Sequence, residues 1–141
     1  MKKDEKMPKT EVVLGVIRNS GNKVLIVNRL WMEKSADGSA TLTWAFPGGE
    51  IDEGETQEEA LIREIRSETG FKVKVLEKIS ERIHPQFNVK IHYFSCQVVP
   101  GSMRPITDVH EIESTKWVDV SELRNYFTSD LDPNVAKFLK I

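Results

Sequence analysis

Apolar and β-branched residues crowd the stretches from Glu11 to Arg18 and from Lys23 to Asn28, and Ser20-Gly21-Asn22 separates them. Two such runs around a turn-forming triplet predict a β-hairpin. Residues 31–41 are polar and read as a loop, and Thr43 to Phe46 reads as a short strand running into a Pro47-Gly48-Gly49 turn. The period then changes. Ala60, Leu61 and Ile65 recur at helical spacing, Thr56 and Glu59 have the spacing of a capping box, and Gly70 is placed to end the helix in a left-handed conformation. These signals set a helix at residues 57–69. Lys72 to Glu81 and Val89 to Val99 are strand-rich, the second alternating in part around Tyr93, Phe94 and Cys96. Pro100, Gly101 and Pro105 mark a loop over residues 100–110, and Ser114 to Val118 reads as a further strand. Ser121 is placed to cap a short helix reaching Tyr126. Asp132-Pro133 fits a last helix running to the C-terminus, with Asp as cap and Pro in the first turn. This order of strands, helix, strands and helix predicts an α+β chain, an α/β/α sandwich with a mixed sheet flanked by helices. Residues 1–9 are charged and read as a flexible tail, and residues 10–141 as a single domain.

Bulk composition narrows what such a domain does. A chain of 141 residues, 39% apolar and 30% charged, buries one core and stays soluble. The formal net charge of -2 offers no global basic surface, so neither nucleic acid nor an anionic membrane is an expected partner. A polyphosphate would have to meet local positive charge, from a metal ion or from a few Lys and Arg side chains. Cys96 is the only cysteine and His84, His92 and His110 are scattered, which excludes an intramolecular disulfide and a Cys/His zinc cluster. Met1 to Lys9 has no apolar core and does not read as a signal peptide. No apolar run approaches membrane-spanning length. The cytoplasm is the default location.

The acidic residues, by contrast, are concentrated. Glu50, Asp52, Glu53, Glu55, Glu58, Glu59, Glu64 and Glu68 fall in one turn-plus-helix segment. Glu64 and Glu68 stand four residues apart and share a helix face, where like charges repel by a few tenths of a kcal/mol. A divalent cation would turn that repulsion into attraction, and hard Mg²⁺ favours oxygen ligands, waters and substrate phosphates. Glycines such as Gly48 and Gly49 let backbone approach a ligand closely. A solvated acidic helix face is the plainer explanation of two glutamates at this spacing, and the adjacent glycine pair argues against it.

Gly49-Glu-Ile-Asp-Glu-Gly-Glu55, followed by Arg63-Glu64-Ile65-Arg66-Ser67-Glu68-Thr69-Gly70-Phe71, resembles the Nudix box, G-x5-E-x7-R-E-U-x-E-E-x-G-U with U a bulky apolar residue. Gly49, Glu55, Arg63, Glu64, Ile65, Glu68, Gly70 and Phe71 match at the expected spacing. The lead-in Trp44-Ala-Phe-Pro-Gly-Gly49 and the later Lys116-Trp117-Val118 and Ser121-Glu122-Leu123 extend the resemblance over most of residues 10–140. It implies hydrolysis of a diphosphate linkage in a nucleotide-like substrate, with Mg²⁺, or Mn²⁺ in its place. By position, Glu64 and Glu68 are metal ligands, and the Gly48 carbonyl reaches the metal. Glu55 and Arg63 pair and hold the loop and helix in shape. Ser67 stands where the family has a glutamate; it supplies no carboxylate but can hold a water.

The base implied by the resemblance is Glu64 or a glutamate beyond the box, for which Glu111 is the first candidate and Glu113 the alternate. Arg29, Trp31, His84 and Phe87 are candidates for substrate contact, with Tyr93, Arg82 and Lys90 behind them, although an aromatic in a strand is more often core. The stretch from Glu81 to Pro85 and the strand after it look like small MutT-type members, which favours nucleoside triphosphates, oxidised or non-standard ones among them. The alternatives are an ADP-ribose or dinucleotide pyrophosphatase, and a catalytically weak nucleotide sensor, which Ser67 would motivate. Val12, Val13 and Leu14 suit either a core or a homodimer interface.

Overall fold

The computed structural model describes residues 10–34, 41–107 and 112–141. Among the described residues, seven strands and three α-helices follow one another: β1 (Thr10–Ile17), β2 (Lys23–Lys34), β3 (Thr41–Ala45), β4 (Gly48–Glu50), α1 (Gln57–Thr69), β5 (Val73–Ile83), β6 (Val89–Val98), β7 (Ile112–Asp119), α2 (Leu123–Tyr126) and α3 (Pro133–Leu139). The strands form a four-stranded sheet in the order β4-β1-β6-β5 and a three-stranded sheet in the order β3-β2-β7. Only the β1–β6 pair is parallel among the described strands, with Val12 opposite Ile91 and Leu14 opposite Tyr93. This is the mixed, helix-flanked α+β sandwich that the pattern predicts.

Strand alternation divides the core in two, because successive side chains point to opposite faces. Val13 and Ile17 of β1, Leu25 of β2 and Phe94 and Cys96 of β6 pack with Ala60, Leu61 and Ile65 of α1. Val16, Val24, Ile26, Ile91 and Tyr93 face the other way and pack with Leu123, Val135 and Leu139 from α2 and α3. Val12 and Leu14 pack at the edge of this second cluster. Burying Leu61 and Ile65 contributes about 2 kcal/mol each. Helix α1 starts and stops where its caps dictate. The Thr56 hydroxyl accepts the Glu59 N–H, the Glu59 carboxylate accepts the Thr56 N–H, and Gly70 closes the helix in the left-handed region.

Several boundaries differ from the sequence pattern. Strand β2 continues to Lys34 and β3 begins at Thr41, with Glu33 opposite Leu42 and Lys34 opposite Thr41, so part of the polar 31–41 stretch is strand. A ladder is made of backbone hydrogen bonds and needs no apolar side chains. The Pro47-Gly48-Gly49 turn is in part a strand. Gly48–Glu50 pairs antiparallel with β1, and three residues with two glycines carry no hydrophobic alternation to reveal it. Ser121 is not a helix cap: a 3-10 turn covers Val120–Glu122 and α2 follows without a side-chain cap. The proposed N-terminal tail, residues 1–9, lies outside the described residues.

Candidate active site

The glutamate-bearing face of α1 meets the edge strand β4. Gly48 has φ +148°, a region L side chains rarely adopt, and a Cβ there would run into the Val13 carbonyl. Its N–H donates to Glu68 Oε1 at 2.9 Å. Glu68 is buried, at 2% exposure, so a carboxylate is held under the glycine backbone. A Cβ on Gly49 would run into the Glu64 carboxylate. Backbone contact at a positive φ therefore requires glycine at Gly48, while Gly49 leaves room for the Glu64 carboxylate; the two glutamates one turn apart on α1 bring their oxygens to the same short strand.

Arg63 fastens the preceding loop to this helix. Its Nε donates to Glu55 Oε2 at 2.7 Å and its Nη2 to Glu55 Oε1 at 2.9 Å, a two-pronged pairing. Nη2 also donates to the Glu50 carbonyl at 3.2 Å, and Nη1 lies 3.5 Å from Glu64 Oε2. The Arg63 hydrogen bonds, aided by the Asp52 N–H on Glu55 Oε1, pull the Glu55 pKa down to about 2. The same pairing raises the Arg63 pKa. Ser67 turns to the following loop: its carbonyl accepts the Thr107 N–H at 3.0 Å and its hydroxyl accepts the Thr107 hydroxyl at 3.3 Å.

A cleft of about 450 Å³ opens beside these carboxylates. Strand register gives its direction. Glu50 and Gly48 of β4 lie opposite Val12 and Leu14 of β1, which lie in turn opposite Ile91 and Tyr93 of β6. The cleft thus crosses three strands, a span of about 10 Å at the usual strand spacing. Gly48, Gly49, Glu50, Glu64 and Glu68 line one end, and His84, Phe87, Val89 and Tyr93 line the other, faced by Phe127 and residues 129–132. The middle is apolar, formed by Val12, Leu14, Phe46 and Ile91. His84 packs edge-on against Phe87 with centroids 5.1 Å apart, and its Nδ1 accepts the Gln86 N–H at 3.0 Å. Burial first, then the charge of Arg82, lowers the His84 pKa. Desolvation pushes the Tyr93 phenol up to about 12. At neutral pH this end of the cleft is lined by uncharged rings.

Of the residues singled out in the sequence, Gly48, Glu64, Glu68, His84 and Phe87 line one cleft, with Glu55 and Arg63 bracing its carboxylate end and Ser67 facing the loop. Arg29 and Trp31 fall in β2, and their side chains lie outside the described residues, as do Glu111 and the side chain of Glu113. Lys90 is drawn to Glu81, 3.5 Å away. Pattern reading missed the wall made by Phe127, Ser129, Asp130 and Leu131. It is brought to the cleft by contacts with β5 and the loop after it, more than forty residues earlier, for which local sequence has no signature.

Among the described residues, no group of three His, Cys, Asp or Glu side chains forms a ready metal cage. Mg²⁺ does not require one, since it is commonly held by one or two carboxylates together with waters and substrate phosphates. Glu64 and Glu68 at the mouth of a cleft, with glycine backbone against them, fit that kind of site.

Fold and site together define a sandwich enzyme whose paired carboxylates adjoin an apolar slot. Comparison with known proteins names the family. The NUDIX domain model matches residues 8–140. The CTP pyrophosphohydrolase of Escherichia coli (strain K12) is 28% identical over 136 residues, covering 96% of this chain and 95% of that protein. The 8-oxo-dGTP diphosphatase of the same organism is 39% identical over 64 residues, covering 45% of this chain and 46% of that protein, so the aligned stretch spans less than half of either. In fold, the chain is similar to the MutT protein from Methanosarcina mazei Go1, with TM-score 0.66 and 21% identity over 95% of this chain and 92% of that one. The chain belongs to the Nudix family, hydrolases acting on acid anhydrides.

Proposed function

We propose that this protein hydrolyses a nucleoside triphosphate, an oxidised or non-standard one among its candidates, to the monophosphate and pyrophosphate with Mg²⁺ at Glu64 and Glu68. One observation carries this reading: the paired carboxylates and the ring-lined slot occupy opposite ends of one cleft, about 10 Å apart by strand spacing, as a phosphate chain and a base require. The curated relatives named above act on CTP and on 8-oxo-dGTP, which supports a nucleotide as the ligand.

A bound Mg²⁺ would neutralise phosphate charge and make water a better nucleophile. The protein's own part is to hold geometry and to move a proton. Glu68, fixed by the Gly48 N–H, places one carboxylate beneath the backbone. Glu64, less deeply buried and lining the cleft, is the base we favour among the described residues, Glu68 then carrying the metal when Glu64 takes the proton. Glu111 is the other candidate, and its role would compensate for the carboxylate absent at Ser67. Arg63 and Glu55 keep the β4–α1 connection rigid, so that Glu64 does not drift from the glycine strand.

Turnover on a panel of ordinary and oxidised nucleoside triphosphates, ADP-ribose, NADH and diadenosine polyphosphates, with Mg²⁺ or Mn²⁺, tests the reading. Pyrophosphate among the products supports it. Two organic phosphates, or AMP with a sugar phosphate, would move the substrate to the ADP-ribose and dinucleotide branch. Binding without turnover of any member would make the protein a sensor.

A further inference from the structure

Beside Val89 and Tyr93 of β6, the two facing walls of the ring-lined end come from segments that share no element: the loop after β5 and the connection between α2 and α3. One arginine joins them. Arg82 of β5 donates from Nη1 to Asp130 Oδ1 at 2.9 Å and from Nη2 to the Asp130 carbonyl at 3.1 Å. Its Nε lies 3.0 Å from Asp132 Oδ1, close as an ion pair though poorly directed as a hydrogen bond. The Arg82 side chain is 18% exposed and that of Asp132 2%. Two lesser ties run in parallel: the Asp130 N–H donates to Gln86 Oε1 at 2.7 Å, and the Ser80 hydroxyl donates to Asp132 Oδ1 at 3.4 Å. Asp130 and Asp132 line the cleft, whereas Arg82 stands behind them.

We infer that Arg82 is a positioning residue that sets the width of the slot for a flat heterocyclic ring. This rests on the reading that a nucleotide occupies the cleft. His84 and Phe87 follow Arg82 within five residues on one wall, and Phe127, Ser129 and Leu131 flank Asp130 on the other. A guanidinium is suited to the duty, since its rigid planar fork grips a carboxylate and a carbonyl at once. Lysine would offer one point charge and no fork. The carboxylate end of the cleft owes nothing to this clamp: Gly48, Glu64 and Glu68 are held by β1, β4 and α1. Loosening Arg82 should therefore weaken ring binding and leave polyphosphate binding as it was.

The test is calorimetric. In Mg²⁺, the Kd of an α,β-imido nucleoside triphosphate is measured beside that of inorganic tripolyphosphate, which has no ring. The proteins are wild type, Arg82→Met, Arg82→Lys and Asp130→Ala. Arg82→Met should weaken the nucleotide analogue about tenfold, the scale of loss when a preorganised wall must be ordered on binding. Tripolyphosphate should bind all four proteins alike. Arg82→Lys should fall between wild type and Arg82→Met. Asp130→Ala should shift the analogue in the same direction, and Arg82→Lys, which leaves the cleft lining unchanged, decides the matter if Arg82→Met does not fold. Equal weakening of both ligands, or of neither, would overturn the clamp. Because binding is read without turnover, a wild-type protein that binds the analogue but does not cleave the parent nucleotide would refute the proposed activity and leave the clamp to be judged on these ratios. If the wild type binds neither ligand, both readings fall.

Discussion

Replacing Asp132 tests how the far wall of the cleft is held. Asp132 Oδ2 accepts the N–H groups of Asn134 and Val135, each at 3.0 Å, and so caps α3. Its Oδ1 lies beside Arg82. Asp132→Ala removes a cap worth about 1 kcal/mol. It also leaves Arg82 with one carboxylate in place of two. Removing one partner of a fully buried pair costs about 3–5 kcal/mol, but Arg82 is partly exposed and keeps Asp130, so a loss of about 1–2 kcal/mol is the appropriate discount. The sum is about 2–3 kcal/mol, or a fall in Tm of about 5–10 °C for a chain of this size. Asp132→Asn separates the two contributions, because Asn caps as well as Asp while the charge is gone. It should lose only the ion-pair contribution, about 1–2 kcal/mol, and keep that of the cap. Thermal unfolding of the three proteins in one buffer, followed by circular dichroism, measures both differences. An Asn variant as unstable as the Ala variant would refute the cap, and an Ala variant as stable as wild type would refute the whole assignment.

Gly48→Ala should destabilise by about 2 kcal/mol or more, since a Cβ is strained at φ +148° and meets the Val13 carbonyl; urea unfolding would show it, and an unchanged midpoint would contradict it. Glu55 should titrate near 2 rather than 4.5. The sign follows from its lowered pKa: the Arg63 lock is fully present above the ordinary value of 4.5 and is lost as the pH falls towards 2. A carboxyl NMR titration reads this directly, and Arg63→Ala should return the midpoint towards the ordinary value. Cys96 is buried, and desolvation pushes its thiol up to about 12; it should resist thiol reagents at pH 8 in the native protein and react once the chain is unfolded.

The sequence carried α1 and its chemistry almost whole, for physical reasons. A thirteen-residue amphipathic helix with a capping box and a left-handed glycine is specified by contacts three and four residues apart, and the Glu55–Arg63 pairing spans only eight residues. Strand β4 was hidden because its identity comes from its partner β1, not from its own side chains. The slot was half legible. His84 and Phe87 stood out as polar and aromatic residues beside a strand, but the wall opposite them is packed on Phe46 through Phe127 and tied down by Arg82, Gln86 and Ser80 reaching segments 44 to 54 residues away. Long-range ion pairs leave no periodic trace. The apolar triplet Val12, Val13 and Leu14, open between core and interface in sequence, is divided by strand alternation: Val13 is in the core under α1, and Val12 and Leu14 line the cleft.

On the proposed reading, Glu68 and Glu64 make this cleft a metal-dependent hydrolase. The measurement closest to it is pyrophosphate release from nucleoside triphosphates, titrated with Mg²⁺, in wild type and in Glu68→Gln. Glutamine keeps an oxygen to accept the Gly48 N–H, so the fold is preserved while the charge is lost. Metal-dependent release by the wild type is expected, with a fall of about a hundredfold or more in the variant, which lacks a carboxylate charge to hold the metal against the phosphates. Release by the variant at the wild-type rate, or by the wild type in excess chelator, would contradict it.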